Sequence, residues 1–152
     1  MLKSWNAHYE KVYRSCVRAG PDRCMALHYE QLVLRPRESM RKVLQFLNLP
    51  WDEVVLNHEK SVDDLVLVKK EKSTNQVVYP IYTNALTDWA KDKAVMTPEL
   101  LREMQSLPML REFGYSEVGM PPNYGFPEPE VLKKSASLQK SADFKKLFHE
   151  LV

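Results

Sequence analysis

Apolar residues recur at helical spacing from the start of the chain. Trp5, Tyr9, Val12, Tyr13, Cys16 and Val17 share one face, with Lys3, Glu10, Lys11 and Arg14 mostly off it. That pattern predicts an amphipathic helix over residues 2–18. Gly20-Pro21 stops it, because Gly accepts the left-handed conformation and Pro cannot donate into a continuing ladder. Cys24-Met25-Ala26-Leu27-His28-Tyr29 is a short apolar run after this turn and reads as a buried strand. A strand between helices points to an α/β neighbourhood, but a single strand makes no sheet and its partners are missing from the pattern.

Pro36 near the first position opens a second helix, with Met40, Val43, Leu44, Phe46 and Leu47 as its stripe and Pro50 as its end. Asp52 is placed to cap a short helix over residues 53–59. Residues 60–82 lack helical period and read as a long loop, the kind of segment that tends to be functional. Thr83 or Asn84 is placed to cap a helix through Trp89, and Thr97-Pro98-Glu99 begins another, with Leu100, Leu101, Met104 and Leu107 facing inward. A short helix over residues 109–113 should end at Gly114, and the Pro-rich stretch 120–130 should be extended. In the tail, residues 131–152, Phe144, Leu147, Phe148 and Leu151 keep helical spacing among lysines, as an amphipathic helix or a disordered end.

Composition narrows the function. Twenty-two Lys and Arg against 20 Asp and Glu leave a net charge of +2 over 152 residues, with no concentrated basic face for nucleic acid. No window approaches ~20 apolar residues, so no membrane span or anchor is expected, and the first residues lack the apolar core of a signal peptide. The four glycines stand apart from one another, so no Gly-rich phosphate loop is present.

The chemistry-bearing residues are few. Cys16 and Cys24 are open to a disulfide or to two reduced core thiols, while the scattered His8, His28, His58 and His149 give no zinc spacing, so no metal is expected. A bridge would imply a secretory compartment. Tyr29 stands at the carboxyl end of the expected strand, where α/β folds place ligand contacts, although taken alone it reads more simply as packing. Lys72-Ser73-Thr74-Asn75-Gln76 offers hydroxyls and amides to an anion, although these residues also populate solvated turns. No Ser-His-Asp set, paired carboxylates or Cys-His nucleophile stands out.

Several landmarks fall in a recognisable order. Cys16 and Cys24 are followed by His28-Tyr29-Glu30-Gln31-Leu32-Val33-Leu34-Arg35-Pro36, Phe46-Leu47, Lys72-Ser73-Thr74-Asn75-Gln76-Val77-Val78 and Trp89. Met109-Leu110, Gly114-Tyr115 and Pro121-Pro122-Asn123-Tyr124-Gly125 complete the series. The whole resembles the C-terminal half of tyrosylprotein sulfotransferases, from about Trp5 to Pro129.

The resemblance implies the C-terminal, mostly helical part of an α/β, P-loop-like three-layer fold, with the core parallel sheet largely missing. Residues 1–130 would belong to the sulfotransferase domain and 131–152 to the tail. It implies transfer of a sulfuryl group from 3′-phosphoadenosine-5′-phosphosulfate (PAPS) to tyrosine hydroxyls in acidic stretches of secreted or membrane proteins, in the Golgi lumen, by a homodimer without a metal. It implies a Cys16–Cys24 disulfide and a nucleotide site formed by Tyr29 and by Ser73, Thr74, Asn75, Gln76, Val77, Val78, Tyr79, Pro80, Ile81 and Tyr82. The Ser73 hydroxyl would stabilise charge on the transferred group. Two positions depart from the family: Asp88 stands in place of a lysine that contacts the cofactor phosphate, and Tyr79 where a basic residue is common. The phosphosulfate loop, the glutamate base and the Arg/Ser pair on the 3′-phosphate precede the matched segment in the family. The chain alone is therefore expected not to turn over. A non-catalytic interaction fragment and a cytosolic-type small-molecule sulfotransferase are the rival readings.

Overall fold

In a computed structural model, residues 1–61, 77–91, 96–142 and 144 are described. These residues form helices, 3-10 turns and extended segments, and no strand occurs among them. The chain divides into two compact units, one of residues 1–27 and 85–124 and the other of 28–84 and 125–152.

The first unit is built on α1 (Leu2–Ala19), α4 (Pro98–Gln105) and α5 (Pro108–Glu112). Thr97 caps α4 as its sequence requires: its hydroxyl accepts from the Leu100 backbone N–H at 3.2 Å. Pro108 opens α5, and the side-chain oxygen of Asn6 on α1 accepts from the Met109 backbone N–H at 3.0 Å, so one helix caps the next. Tyr9 and Tyr13 then meet Phe113 edge-on, at centroid distances of 6.2 and 5.8 Å. The Tyr13 hydroxyl also donates to Glu112; that hydrogen bond, before the carboxylate's charge, pushes the phenol above its ordinary value. Gly114 adopts φ 76°, as the end of a helix there demands.

Cys16 and Cys24 are bridged, with 5.3 Å between their α-carbons. Gly20, at φ 86°, ends α1, and the Cys24 N–H donates to its carbonyl at 3.0 Å, returning the chain to the helix. The stretch after the bridge is not the expected buried strand. Residues 24–28 have no regular structure, Leu27 is exposed, and Tyr29 begins a helix. A strand needs a neighbour to take its N–H and C=O groups, and none of the described residues supplies one. Tyr9, Val12 and Val17 also depart from expectation, lying exposed on the apolar side of α1, none of whose residues is buried.

The second unit contains α2 (Tyr29–Leu34), α3 (Pro36–Phe46) and α6 (Pro129–Leu138). Ser39, buried at the α2–α3 corner, donates its hydroxyl to the Gln31 carbonyl at 3.0 Å. Asp52 caps as expected, accepting from Val54 N–H at 2.9 Å, but 53–60 forms two 3-10 turns rather than a helix. Residues 84–91 likewise form 3-10 turns, and Thr83 is not a cap: its hydroxyl lies 3.2 Å from that of buried Ser135 on α6. The Pro-rich stretch turns and then runs extended, and the Glu128 N–H donates to the Leu34 carbonyl at 2.7 Å. Val131 and Ser135 bury the inner face of α6.

Candidate nucleotide site

The second unit encloses a cavity of about 370 Å³. It is lined by Tyr29, Leu32 and Val33 of α2, Pro36 and Met40 of α3, and Val55 and His58 of the turns that follow. Val77, Tyr79, Pro80, Ile81 and Tyr82 form the remaining wall. Tyr29 is the first residue of α2 and stays 59% exposed.

Behind the wall stands Phe144, 3% exposed, edge-on to Tyr79 and Tyr82 at 5.4 and 4.9 Å. Edge-to-face packing of this kind fixes ring planes as well as burying area. Burial, and secondarily Tyr29, pushes the Tyr82 phenol above its ordinary value, so it stays protonated.

The turn bearing His58 is fixed from α6. The Lys134 ammonium donates to the Leu56 carbonyl (3.0 Å), Asn57 Oδ1 (3.0 Å) and Glu59 Oε1 (3.1 Å). Burial alone would raise the Glu59 carboxyl, but its own backbone N–H and Lys134 outweigh burial and hold it below the ordinary carboxylate value. Glu59 Oε2 is buried without a hydrogen-bond partner among the described residues, and His58 Nδ1 is 3.9 Å away.

The structure thus brings together Tyr29, Val77, Tyr79, Pro80, Ile81 and Tyr82 around one space. Val78 is not part of that lining and is exposed. Ser73, Thr74, Asn75 and Gln76 lie outside the described residues. Asp88 is in the other unit and pairs with Lys91, so its charge is locally balanced. Tyr79 is an aromatic wall residue packed on Phe144. Sequence reasoning missed His58, noted only as an isolated histidine, and Phe144, whose helical spacing said nothing of two tyrosines more than sixty positions earlier.

A second cavity, of about 420 Å³ in the first unit, is lined by Trp5, Trp89, Leu101, Met104, Leu110, Tyr115 and other residues, and no charged side chain among the described residues lines it. It was not anticipated. Among the described residues no group of three His, Cys, Asp or Glu side chains is disposed to hold a metal, and no helix is long and apolar enough to cross a membrane.

Residues 1–53 match the model of the Sulfotransferase family. Relatives extend the likeness along nearly the whole chain. Protein-tyrosine sulfotransferase 1 of Danio rerio is 41% identical over 146 residues, 93% of this chain and 40% of the relative. Protein-tyrosine sulfotransferase A of Caenorhabditis elegans is 37% identical over 142 residues, 92% of this chain and 37% of the relative. Protein-tyrosine sulfotransferase of Drosophila melanogaster is 37% identical over 142 residues, 91% of this chain and 28% of the relative. Over nearly its whole length the chain is similar to protein-tyrosine sulfotransferases, and it spans about 40% or less of the length of these relatives.

Proposed function

We propose that this chain is part of a protein-tyrosine sulfotransferase and supplies one wall of its PAPS site. The observation that carries the reading is the convergence of Tyr29 with Val77, Tyr79, Pro80, Ile81 and Tyr82 on one cavity. At about 370 Å³, the space falls within the ~300–1,000 Å³ typical of ligand pockets. Its aromatic and aliphatic walls suit a flat purine. They do not suit phosphates, because His58 is the only lining residue among those described that can carry positive charge. In this reading the base lies here, and the phosphates and sulfuryl group extend beyond it toward the segment containing Ser73.

The reaction itself is a displacement at sulfur. The substrate tyrosine oxygen bonds to the sulfuryl sulfur as the bond from sulfur to the 5′-phosphate oxygen breaks, and the electron pair leaves on adenosine 3′,5′-bisphosphate. The phenol proton passes to a base. Phenols ionise near ~10, so that base is worth about 10²–10⁴-fold, and no residue described in this chain is assigned to it. Turnover by this chain alone is not expected, and Ser73 is assigned stabilisation of the transferred group. The wider assignments follow the family: a P-loop-like three-layer fold, acidic tyrosine-containing substrates, a homodimer and the Golgi lumen. A non-catalytic interaction role is the second reading, favoured by Asp88 and its pairing with Lys91.

Photolabelling with 8-azidoadenosine 3′,5′-bisphosphate tests the site. Label should appear in peptides spanning 28–41 and 77–91, and unlabelled adenosine 3′,5′-bisphosphate should compete it away. Label confined to other peptides, or label that does not compete, would remove the assignment. Sulfate transfer from PAPS to an acidic tyrosine peptide by the purified chain would eliminate the non-catalytic reading.

A further inference from the structure

Within the cavity, His58 is held in a way its neighbours are not. Its turn is tied to α6 by the three hydrogen bonds that Lys134 donates, and these also fix the Glu59 carboxylate. One oxygen of that carboxylate, Oε2, is buried without a partner among the described residues. A buried charged acceptor left unpaired is costly, and the nearest imidazole nitrogen, His58 Nδ1, stands 3.9 Å away. A small ring rotation that directs Nδ1–H at Oε2 relieves this. The pairing also sets the tautomer: with the proton on Nδ1, the neutral ring keeps an acceptor lone pair on Nε2, the nitrogen facing away from Glu59.

A purine among Tyr29, Tyr79 and Tyr82 would have its faces satisfied by aromatic walls, while its polar edge would still need a partner. Tyrosine hydroxyls rotate and either donate or accept, so they discriminate weakly between an edge that donates and one that does not. An imidazole whose other nitrogen is committed to a carboxylate does discriminate. We propose that His58 is the specificity-determining residue of this cavity, its Nε2 accepting a hydrogen bond from the exocyclic 6-amino group of an adenine base. The proposal rests on the nucleotide assignment above and adds to it the residue that selects adenine.

The test compares two probes by equilibrium titration of the full chain at about pH 8. The first is adenosine 3′,5′-bisphosphate, and the second is purine riboside 3′,5′-bisphosphate, which lacks only the 6-amino group. The wild-type chain should bind the first about five- to tenfold more tightly, the range of one net hydrogen bond. In His58→Leu that ratio should collapse to about one through loss of adenosine affinity alone. His58→Gln, whose amide oxygen can accept, should restore part of it. Circular dichroism of each variant checks that the fold is kept. A ratio unchanged in His58→Leu, or a wild-type ratio of one with both probes bound, overturns the role of His58 and leaves the nucleotide assignment standing. Failure of the wild-type chain to bind either probe overturns both.

Discussion

Lys134 directs its ammonium protons at a single turn, and most of its side chain is covered in doing so. Removing that charge leaves Glu59, whose side chain is only 14% exposed, as a carboxylate without its counter-ion. Lys134→Met should therefore lower unfolding free energy by about 2–3 kcal/mol, toward the lower end expected for breaking a buried pair, as read by urea denaturation. The same carboxylate sets an acid limit. Its folded value lies below the ordinary one, so in the interval between the two the unfolded chain holds more protons than the folded chain. The stability it contributes is present above the ordinary carboxylate value of about 4.3 and is lost as pH falls through the folded value. Urea midpoints should drop as pH is lowered from about 5 toward 3, and Glu59→Gln should make that drop shallower. None of this was legible in the sequence, because Lys134 and Glu59 are 75 positions apart and each looks like an ordinary surface charge.

Among the elements, those specified by neighbours in sequence are the ones sequence reading recovers. Thr97 caps α4 and Asp52 caps its turn through atoms two or three residues away, so their chemistry is local. Thr97→Ala should cost about 1 kcal/mol, measured by chemical denaturation. The strand expected over 24–29 failed for the converse reason: a short apolar run becomes a strand only when another strand pairs with it, and no partner lies among the described residues. The Cys16–Cys24 bridge sits between these cases. Spacing left two chemistries open, the family likeness chose one, and the turn at Gly20 brings the two residues together. Replacing both cysteines by serine should destabilise the first unit by about 2.5 kcal/mol, the chain-entropy value for so short a loop, and the unreduced, denatured chain should show no free thiol.

For the whole molecule, each of two compact units carries an apolar cavity, and the one in the second unit gathers the residues that the family likeness had assigned to the nucleotide. Tyr29 and the 77–82 segment were legible as a pair through that likeness, since nearly fifty positions separate them and no periodicity connects them. Phe144 and His58, which shape the same space, were not, because their roles arise only from packing. Calorimetric titration with adenosine 3′,5′-bisphosphate addresses the assignment at its root, using the wild-type chain, Tyr29→Ala, and Trp89→Ala as a control in the other cavity. Saturable 1:1 binding should weaken about tenfold or more in Tyr29→Ala, the scale of one aromatic stack on a base, and stay unchanged in Trp89→Ala. Equal affinity of the wild-type and Tyr29→Ala chains, or no binding by the wild type, would contradict it.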